Sequence, residues 1–443
     1  RSRGLGDVYK RQIMRNTIYI VIFLFSFCLQ ACVEDEKDIF DKPSTERLSE
    51  ALKQYQKILT EVPNGWLMEY YPKGDCAYGG YIILLSFTEE EVFMSSETNP
   101  TPVSSLYSLK GDTGPVLSFD TYNQVFHFFS DPSVPGLEGL GYEGDYEFII
   151  VGKEKDELIL EGKKTGNTIR MKPLPTGQSW EETLASIKHI IQVTTPPEGC
   201  CYRMEVDGNP VLIERKGRAL LPETGGRTLE LDYVNGSDTL TLNVPFIYTT
   251  TGIKFYQPVQ IGGKEIQYFD WSEIERNLQC TDNNVDARIS TIPMSPNKKY
   301  AYSTLNWYLT LKVISSPFLT RWLNANQILK DQQGLSLYKI FLSYDAEYEG
   351  QFLEVDLTDG YNIYACLLLM YVKPVKWTED EIDISFSGLV DDNGNAFYGN
   401  GGKEIVEMMS GRYSLTGNPS DNPTSFFFQK TDGSDVWFEL SIE

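Results

Sequence analysis

Histidine is almost missing from this chain: its 443 residues include two, His127 and His189. A Ser-His-Asp or Cys-His arrangement would need one of them, and no Gly-x-Ser-x-Gly turn supplies a nucleophile. The His-Glu-x-x-His helix of metallopeptidases is absent as well. No glycine-rich loop leads from a strand into a helix, which argues against a nucleotide-binding α/β core. Cysteine is sparse beyond residue 32, with Cys76, Cys200, Cys201, Cys280 and Cys366 and no Cys-x-x-Cys pair. An odd set without paired spacing supports neither a disulfide framework nor a zinc site, and Cys200-Cys201 read as small core side chains. Positive charge is short too: 39 Lys and Arg stand against 62 Asp and Glu, net −23. Nucleic acid and anionic headgroups are therefore excluded as partners. These absences leave no catalytic residue, metal site or cofactor to assign.

What is present begins at Met14. Met14-Arg15-Asn16 is followed by an apolar stretch from Ile18 to Leu29 and then Leu29-Gln30-Ala31-Cys32. The stretch is shorter than the roughly 20 residues a permanent span requires, so it reads as a signal peptide. Leu29, Gln30, Ala31 and Cys32 resemble the lipobox of bacterial lipoproteins, in which the cysteine is acylated and becomes the first mature residue. Several acyl chains at about 0.8 kcal/mol per buried methylene then tie the chain to outer-membrane lipid. Val33-Glu34-Asp35-Glu36-Lys37-Asp38 resembles the acidic export signal of Bacteroidota lipoproteins, implying display at the cell exterior. Residues 1–13 precede a complete signal peptide and look like translated adapter. Residues 1–31 hold five of the basic residues and one of the acidic ones, so the mature chain is more acidic still, net −27.

Three stretches have helical periodicity, and strand signals follow each. Thr45 to Thr60 places Leu48, Leu52, Tyr55 and Leu59 on one face, with Ser44 as cap. Ser179 to Gln192 does the same with Trp180, Leu184, Ile187 and Ile191, and Phe318 to Gln333 with Leu319, Trp322, Leu323 and Leu329. Their starts lie roughly 136 residues apart, a repeat signal. Met68 to Phe119 spans 51 positions, and Met204 to Phe255 spans 51 again. A weaker third match pairs Gly144-Asp145-Tyr146 with Gly411-Arg412-Tyr413. Within a unit, strands alternate and turn tightly: Tyr146–Ile150, Glu157–Glu161 and Ile169–Met171 form an antiparallel meander.

The expected fold is α+β, mainly β with a few helices. It consists of helix-led antiparallel β-sandwich or barrel-like units, duplicated and, on the weaker match, triplicated. The expected segments are 1–13 as adapter, 14–31 as signal peptide and 32–43 as acidic tether. Units follow at 44–176, 177–293 and, more divergent, 294–443.

Candidate contacts are few. His127 sits in an aromatic strand, Val125–Phe129, and His189 on the second helix. Asp391-Asp392-Asn393-Gly394-Asn395 spaces oxygens as a calcium loop does, but its glycine is misplaced. It reads instead as a hairpin turn joining Ile384–Phe386 to Ala396–Tyr398. Trp66 and Phe119 read as core. Tyr71, Tyr78 and Tyr122 stand beside turn residues and are the ligand-binding candidates, since a ring with a polar tip suits stacking on sugar or clasping peptide.

Leu52–Tyr71, Gly79-Gly80-Tyr81, the string Gly114-Pro115-Val116-Leu117-Ser118-Phe119-Asp120-Thr121-Tyr122-Asn123 and Leu160–Met171 together resemble the domain-of-unknown-function 4302 family of Bacteroidota outer-membrane lipoproteins. The resemblance implies an accessory beside a TonB-dependent transporter and its lipid-anchored binding protein. No activity or catalytic residue comes with it. The expected function is non-catalytic capture of a nutrient oligomer, glycan or peptide. The alternatives are a surface glycoside hydrolase using an Asp/Glu pair, which abundant carboxylates permit, and a structural subunit of a surface assembly.

Overall fold

The computed structural model describes residues 43–112, 114–134, 137–216, 225–345, 350–418 and 422–442. Leu29, Gln30, Ala31, Cys32 and the acidic run after them lie outside the described residues. The described chain is mainly β, folded into three antiparallel meanders, each of which returns to pair its last strand with its first.

Helix α1 (Ser44–Thr60) leads the first meander. It is followed by β1 (Trp66–Tyr70), β2 (Tyr81–Phe87), β3 (Glu91–Ser96), β4 (Val103–Leu106), β5 (Ser108–Gly111) and β6 (Pro115–Ser118). A short α2 (Phe126–Ser130) then precedes β7 (Glu147–Glu154), β8 (Glu157–Gly162) and β9 (Thr168–Pro173). The sheet order is β4-β3-β2-β1-β9-β8-β7-β6-β5. Its two ends, β4 and β5, are parted only by Tyr107, whose hydroxyl donates to the Thr88 carbonyl at 2.6 Å. The sheet thus wraps into a barrel whose fourth strand is broken in the middle. Helix α1 turns its Leu59 side inward, and the Trp66 indole donates to the Leu59 carbonyl at 3.0 Å. Ser44 is the first helical residue rather than the cap, which falls on Pro43.

Helix α3 (Trp180–Thr194) leads the second unit. Ser179 and Glu182 form a reciprocal capping box at its start. A closed barrel follows, made of β10 (Cys200–Val206), β11 (Asn209–Lys216), β12 (Thr228–Asn235), β13 (Asp238–Tyr248), β14 (Gly252–Ile261), β15 (Lys264–Ser272), β16 (Asn277–Cys280) and β17 (Ala287–Pro293). Here the fourth strand, β13, is unbroken: its first eight residues pair with β12 and its last three with β14.

The third barrel opens with short α4 (Pro296–Ala301) and β18 (Trp307–Ile314), and only then comes the long helix α5 (Ser316–Gln333). It continues through β19 (Ser336–Asp345), β20 (Gly350–Thr358), β21 (Ile363–Pro374) and β22 (Glu381–Leu389). Helix α6 (Asp392–Phe397), a π turn (Tyr398–Gly402) and α7 (Lys403–Met409) lead into β23 (Gly411–Gly417), β24 (Ser425–Lys430) and β25 (Trp437–Ser441). Phe318, Trp322, Ala325 and Leu329 of α5 join the strands' inward residues in one core. Leu319 and Leu323, expected on that face, are exposed.

Two local expectations are corrected. Val125–Phe129 is not a strand, because the Asn123 carboxamide oxygen accepts from the Val125 and Phe126 amides and starts α2. Asp391–Asn395 is not a hairpin turn either. Asp391 caps α6 by accepting from the Gly394 amide at 2.5 Å, and also accepts from the Leu367 amide at 3.2 Å. Capping of a helix won over the Asn-Gly hairpin tendency.

The first two barrels share a core. On β1, Trp66, Met68 and Tyr70 point into the first barrel, while Leu67 packs with the second; Tyr81, Ile83 and Leu85 of β2 divide likewise from Ile82 and Leu84. Burial on both faces is why these strands read as continuous apolar runs. Charged side chains lie within the seam. The fully buried Arg227 donates to the Gly80 carbonyl at 2.7 Å and to Glu97 at 2.8 Å, with its guanidinium 3.9 Å from the Tyr81 ring centre. Burial alone would lower its pKa, but the Glu97 carboxylate holds it above its ordinary value. Glu69 sits between Lys254 at 2.6 Å and Lys172 at 3.3 Å. The third barrel, by contrast, has a core made of its own residues.

Candidate functional site

The second and third barrels meet across a cleft. One wall comes from β10, β11 and β12, the floor from the connection 292–298, and the other wall from the loop between β21 and β22. Its volume is about 530 Å³. A second hollow of about 330 Å³, lined by Asp207, Tyr233 and Ile261, adjoins it. Pro210, Val211 and Trp377 line both, so Trp377 stands between the two lobes.

The loop holding Trp377 is fixed from below by Asn297. This fully buried carboxamide donates to the Thr378 carbonyl at 3.1 Å and the Glu381 carbonyl at 2.9 Å. Its own amide donates to the Glu379 carbonyl at 3.2 Å. From the side, the Lys376 ammonium meets Asp232 of β12 at 2.6 Å, and Thr241 donates to the same carboxylate. Held this way, Trp377 takes φ +68°, a backbone region unusual for a bulky residue, and remains 40% exposed. Such strain persists only where surrounding structure over-determines it, and it concentrates at binding sites.

Glu214 faces the cleft from β11. It meets Lys216 at 2.9 Å and accepts from the Tyr302 hydroxyl at 3.1 Å. Burial pushes its pKa up, but the hydrogen bond and charge of Lys216, the Tyr302 hydroxyl and Lys298 together hold it below the ordinary glutamate value. Burial and the Glu214 charge in turn raise Tyr302. Cys201 also lines the cleft, and burial raises its thiol pKa, which keeps it protonated and unreactive. The arrangement can stack, hydrogen-bond and pair charge with a ligand. An anionic Glu214 is a poor proton donor, whereas a glycosidase acid needs a raised pKa.

Two carboxylates do have raised pKa values, Glu354 and Asp356, alternate residues of β20. Burial is the main cause for both, and Asp356 adds to the effect on Glu354. They alternate with Leu353, Val355 and Leu357, which point into the core, and neither lines the cleft.

The structure does not bring Tyr71, Tyr78 and Tyr122 together. Tyr71 is buried in the seam with its ring 4.5 Å from that of Tyr256, and Tyr78 is buried edge-on to Tyr142 at 5.3 Å. Both are core residues. Tyr122 is 71% exposed and lies 4.7 Å from the His127 ring, which stacks in turn on Tyr146 at 5.8 Å. His189 meets Glu273 at 3.3 Å on the surface. Among the described residues no group of histidine, cysteine and carboxylate side chains could hold a metal ion. Sequence reasoning missed Trp377, Lys376, Lys298 and Tyr302. The available signal was a tryptophan among polar and turn-forming residues between two strand-like runs, where an indole has no core to enter.

No curated protein matches the chain. Among solved structures, the beta subunit of DNA polymerase III from Thermotoga maritima is similar at 10% identity. The match covers 90% of this chain and 97% of that one with a TM-score of 0.12, a likeness too weak to bear on fold or function. The family described as Domain of unknown function (DUF4302) matches residues 36–273, from before α1 to the end of β15, and leaves the Trp377 loop outside. With more than half of its length matched, this chain belongs to the DUF4302 family.

Proposed function

We propose that the mature chain is a lipid-anchored lipoprotein of the outer membrane, facing the cell exterior. In this view it is a non-catalytic accessory that captures a nutrient oligomer beside a TonB-dependent importer. Anchoring rests on Leu29-Gln30-Ala31-Cys32 and the acidic run that follows. Capture rests on one observation: an indole fixed in a strained backbone between two adjoining hollows, 40% exposed and backed by a buried carboxamide. An exposed indole at the mouth of a pre-formed cleft offers a flat apolar face with a hydrogen-bond donor at its edge, which suits stacking on a ring-shaped ligand unit.

The experiment is affinity purification of the tagged lipoprotein from outer membranes, with identification of co-purifying proteins and bound oligomers. Recovery of an importer, a bound oligomer or both is expected. The lipoprotein recovered alone and empty, with no change in Trp377 fluorescence across an oligosaccharide panel, would defeat the proposal.

A further inference from the structure

We infer that the cleft takes an anionic oligosaccharide, with Lys298 as the charge partner and the Trp377 ring as the stacking face. The inference rests on the binding cleft proposed above and specifies its ligand.

The other charged side chains that line the larger lobe are paired or solvated. Lys376 is neutralised by Asp232 at 2.6 Å, Glu214 by Lys216 at 2.9 Å, and Arg203 by Glu205 at 2.9 Å. Glu379 is exposed to solvent. Lys298 is different. It lies on α4, is half-buried and lines the larger lobe. Among the described residues its ammonium makes no hydrogen bond or contact ion pair, although it is close enough to Glu214 to lower that carboxylate's pKa. A cation in a cleft with no carboxylate in contact is available to supply the counter-charge for an anionic ligand group. The chain as a whole carries net −23, so a cation in this cleft without a contacting carboxylate among the described residues runs against the general charge balance.

The occupant's class follows from the walls. Extended peptides are commonly gripped by adding a strand to a free sheet edge. Both barrels that form this cleft are closed and present no free edge. What they present is an indole face and polar groups at the rim, including Asp207, Asn209 and Thr378. Pyranose rings offer flat C–H faces to the indole and hydroxyls to that rim. A carboxylate or a sulfate on the sugar carries the same charge toward Lys298.

The test is calorimetry of the mature chain against oligogalacturonate, a sulfated galactan fragment and neutral cellohexaose of matched length, at low and physiological salt. An acidic sugar should bind at least tenfold more tightly than the neutral one, and salt should narrow the gap. Lys298→Gln should erase the gap and Lys298→Arg restore it, while Trp377→Ala weakens binding of both. The uronate and sulfate arms tell which anionic group is preferred. Equal binding of neutral and acidic sugars, unchanged by Lys298→Gln, overturns the charge assignment and leaves the cleft as a sugar site. Binding of acidic peptides with none of the sugars overturns the sugar assignment and leaves a binding cleft. Binding of nothing, with wild-type melting retained, overturns both.

Discussion

Replacing Arg227 with methionine removes the charge from the seam between the first two barrels while keeping much of the side chain's volume. The change leaves Glu97, which is buried and also accepts from the Ile82 amide at 2.7 Å, without its countercharge, and it leaves the Gly80 carbonyl without a donor. Removing one member of a buried pair costs about 3–5 kcal/mol. The stacking of the guanidinium on Tyr81, 3.9 Å away, is worth up to about 2 kcal/mol when desolvated. Both effects belong to the same group and overlap, so a loss of about 4 kcal/mol is expected. Urea unfolding of the mature chain, followed by tryptophan fluorescence, measures it. The double variant Arg227→Met/Glu97→Gln should regain about 1–2 kcal/mol, because no lone charge remains buried while the glutamine oxygen can still accept from Ile82. A loss below about 1 kcal/mol for Arg227→Met, or a double variant weaker than the single, would refute the view that this ion pair locks the barrels together.

Trp377→Gly should stabilise the free protein by about 1 kcal/mol, since glycine accepts the +68° backbone without strain, yet weaken ligand binding; melting and titration on the same sample test both halves. Asn297→Ala should cost about 1–3 kcal/mol by leaving the Thr378 carbonyl without its donor and removing one of two donors from the Glu381 carbonyl, which keeps the Val375 amide, and should loosen the Trp377 loop, visible as faster amide exchange over residues 375–380. Glu214 has a folded pKa below its unfolded value, so its contribution is complete above about pH 4.5 and is lost as pH falls through the folded value. Melting between pH 6 and pH 3 should therefore show a decline that Glu214→Gln flattens. Burial pushes the Cys76 and Cys366 thiols up to about 12, so both should resist a thiol reagent at pH 8 until the chain is unfolded.

The repeat was legible because equivalent core positions recur at equal spacing. Met68 and Met204 lie on β1 and β10, the opening strands of their barrels, and Phe119 and Phe255 lie just after β6 and within β14, which occupy the same place once the broken strand is counted as one. The long helix of the third unit was visible in its periodicity, but not its place after β18, because periodicity reports a buried face and not what precedes it. Tyr71 and Tyr78 could not be told from surface residues, since what buries them is Tyr256 and Tyr142, far along the chain. Trp377 failed to register for the complementary reason: its importance comes from β11 and β12 opposite it and from Asn297 beneath it. Lys298 acquires meaning only once Lys376, Glu214 and Arg203 are seen to have partners of their own, which the fold and not the sequence supplies.

Each barrel pairs its last strand with its first, β1 with β9, β10 with β17 and β18 with β25. The chain therefore enters and leaves each barrel on neighbouring strands. A segment with adjacent ends can be copied, inserted or deleted in a gene without rethreading the rest, as one bead is added to a string. The same geometry lets two successive beads weld, as the first pair have, or keep separate cores with a cleft between them, as at Trp377. Where successive barrels keep separate cores, growth by whole barrels thus creates a new inter-barrel groove, and selection can shape that groove without disturbing either barrel's interior.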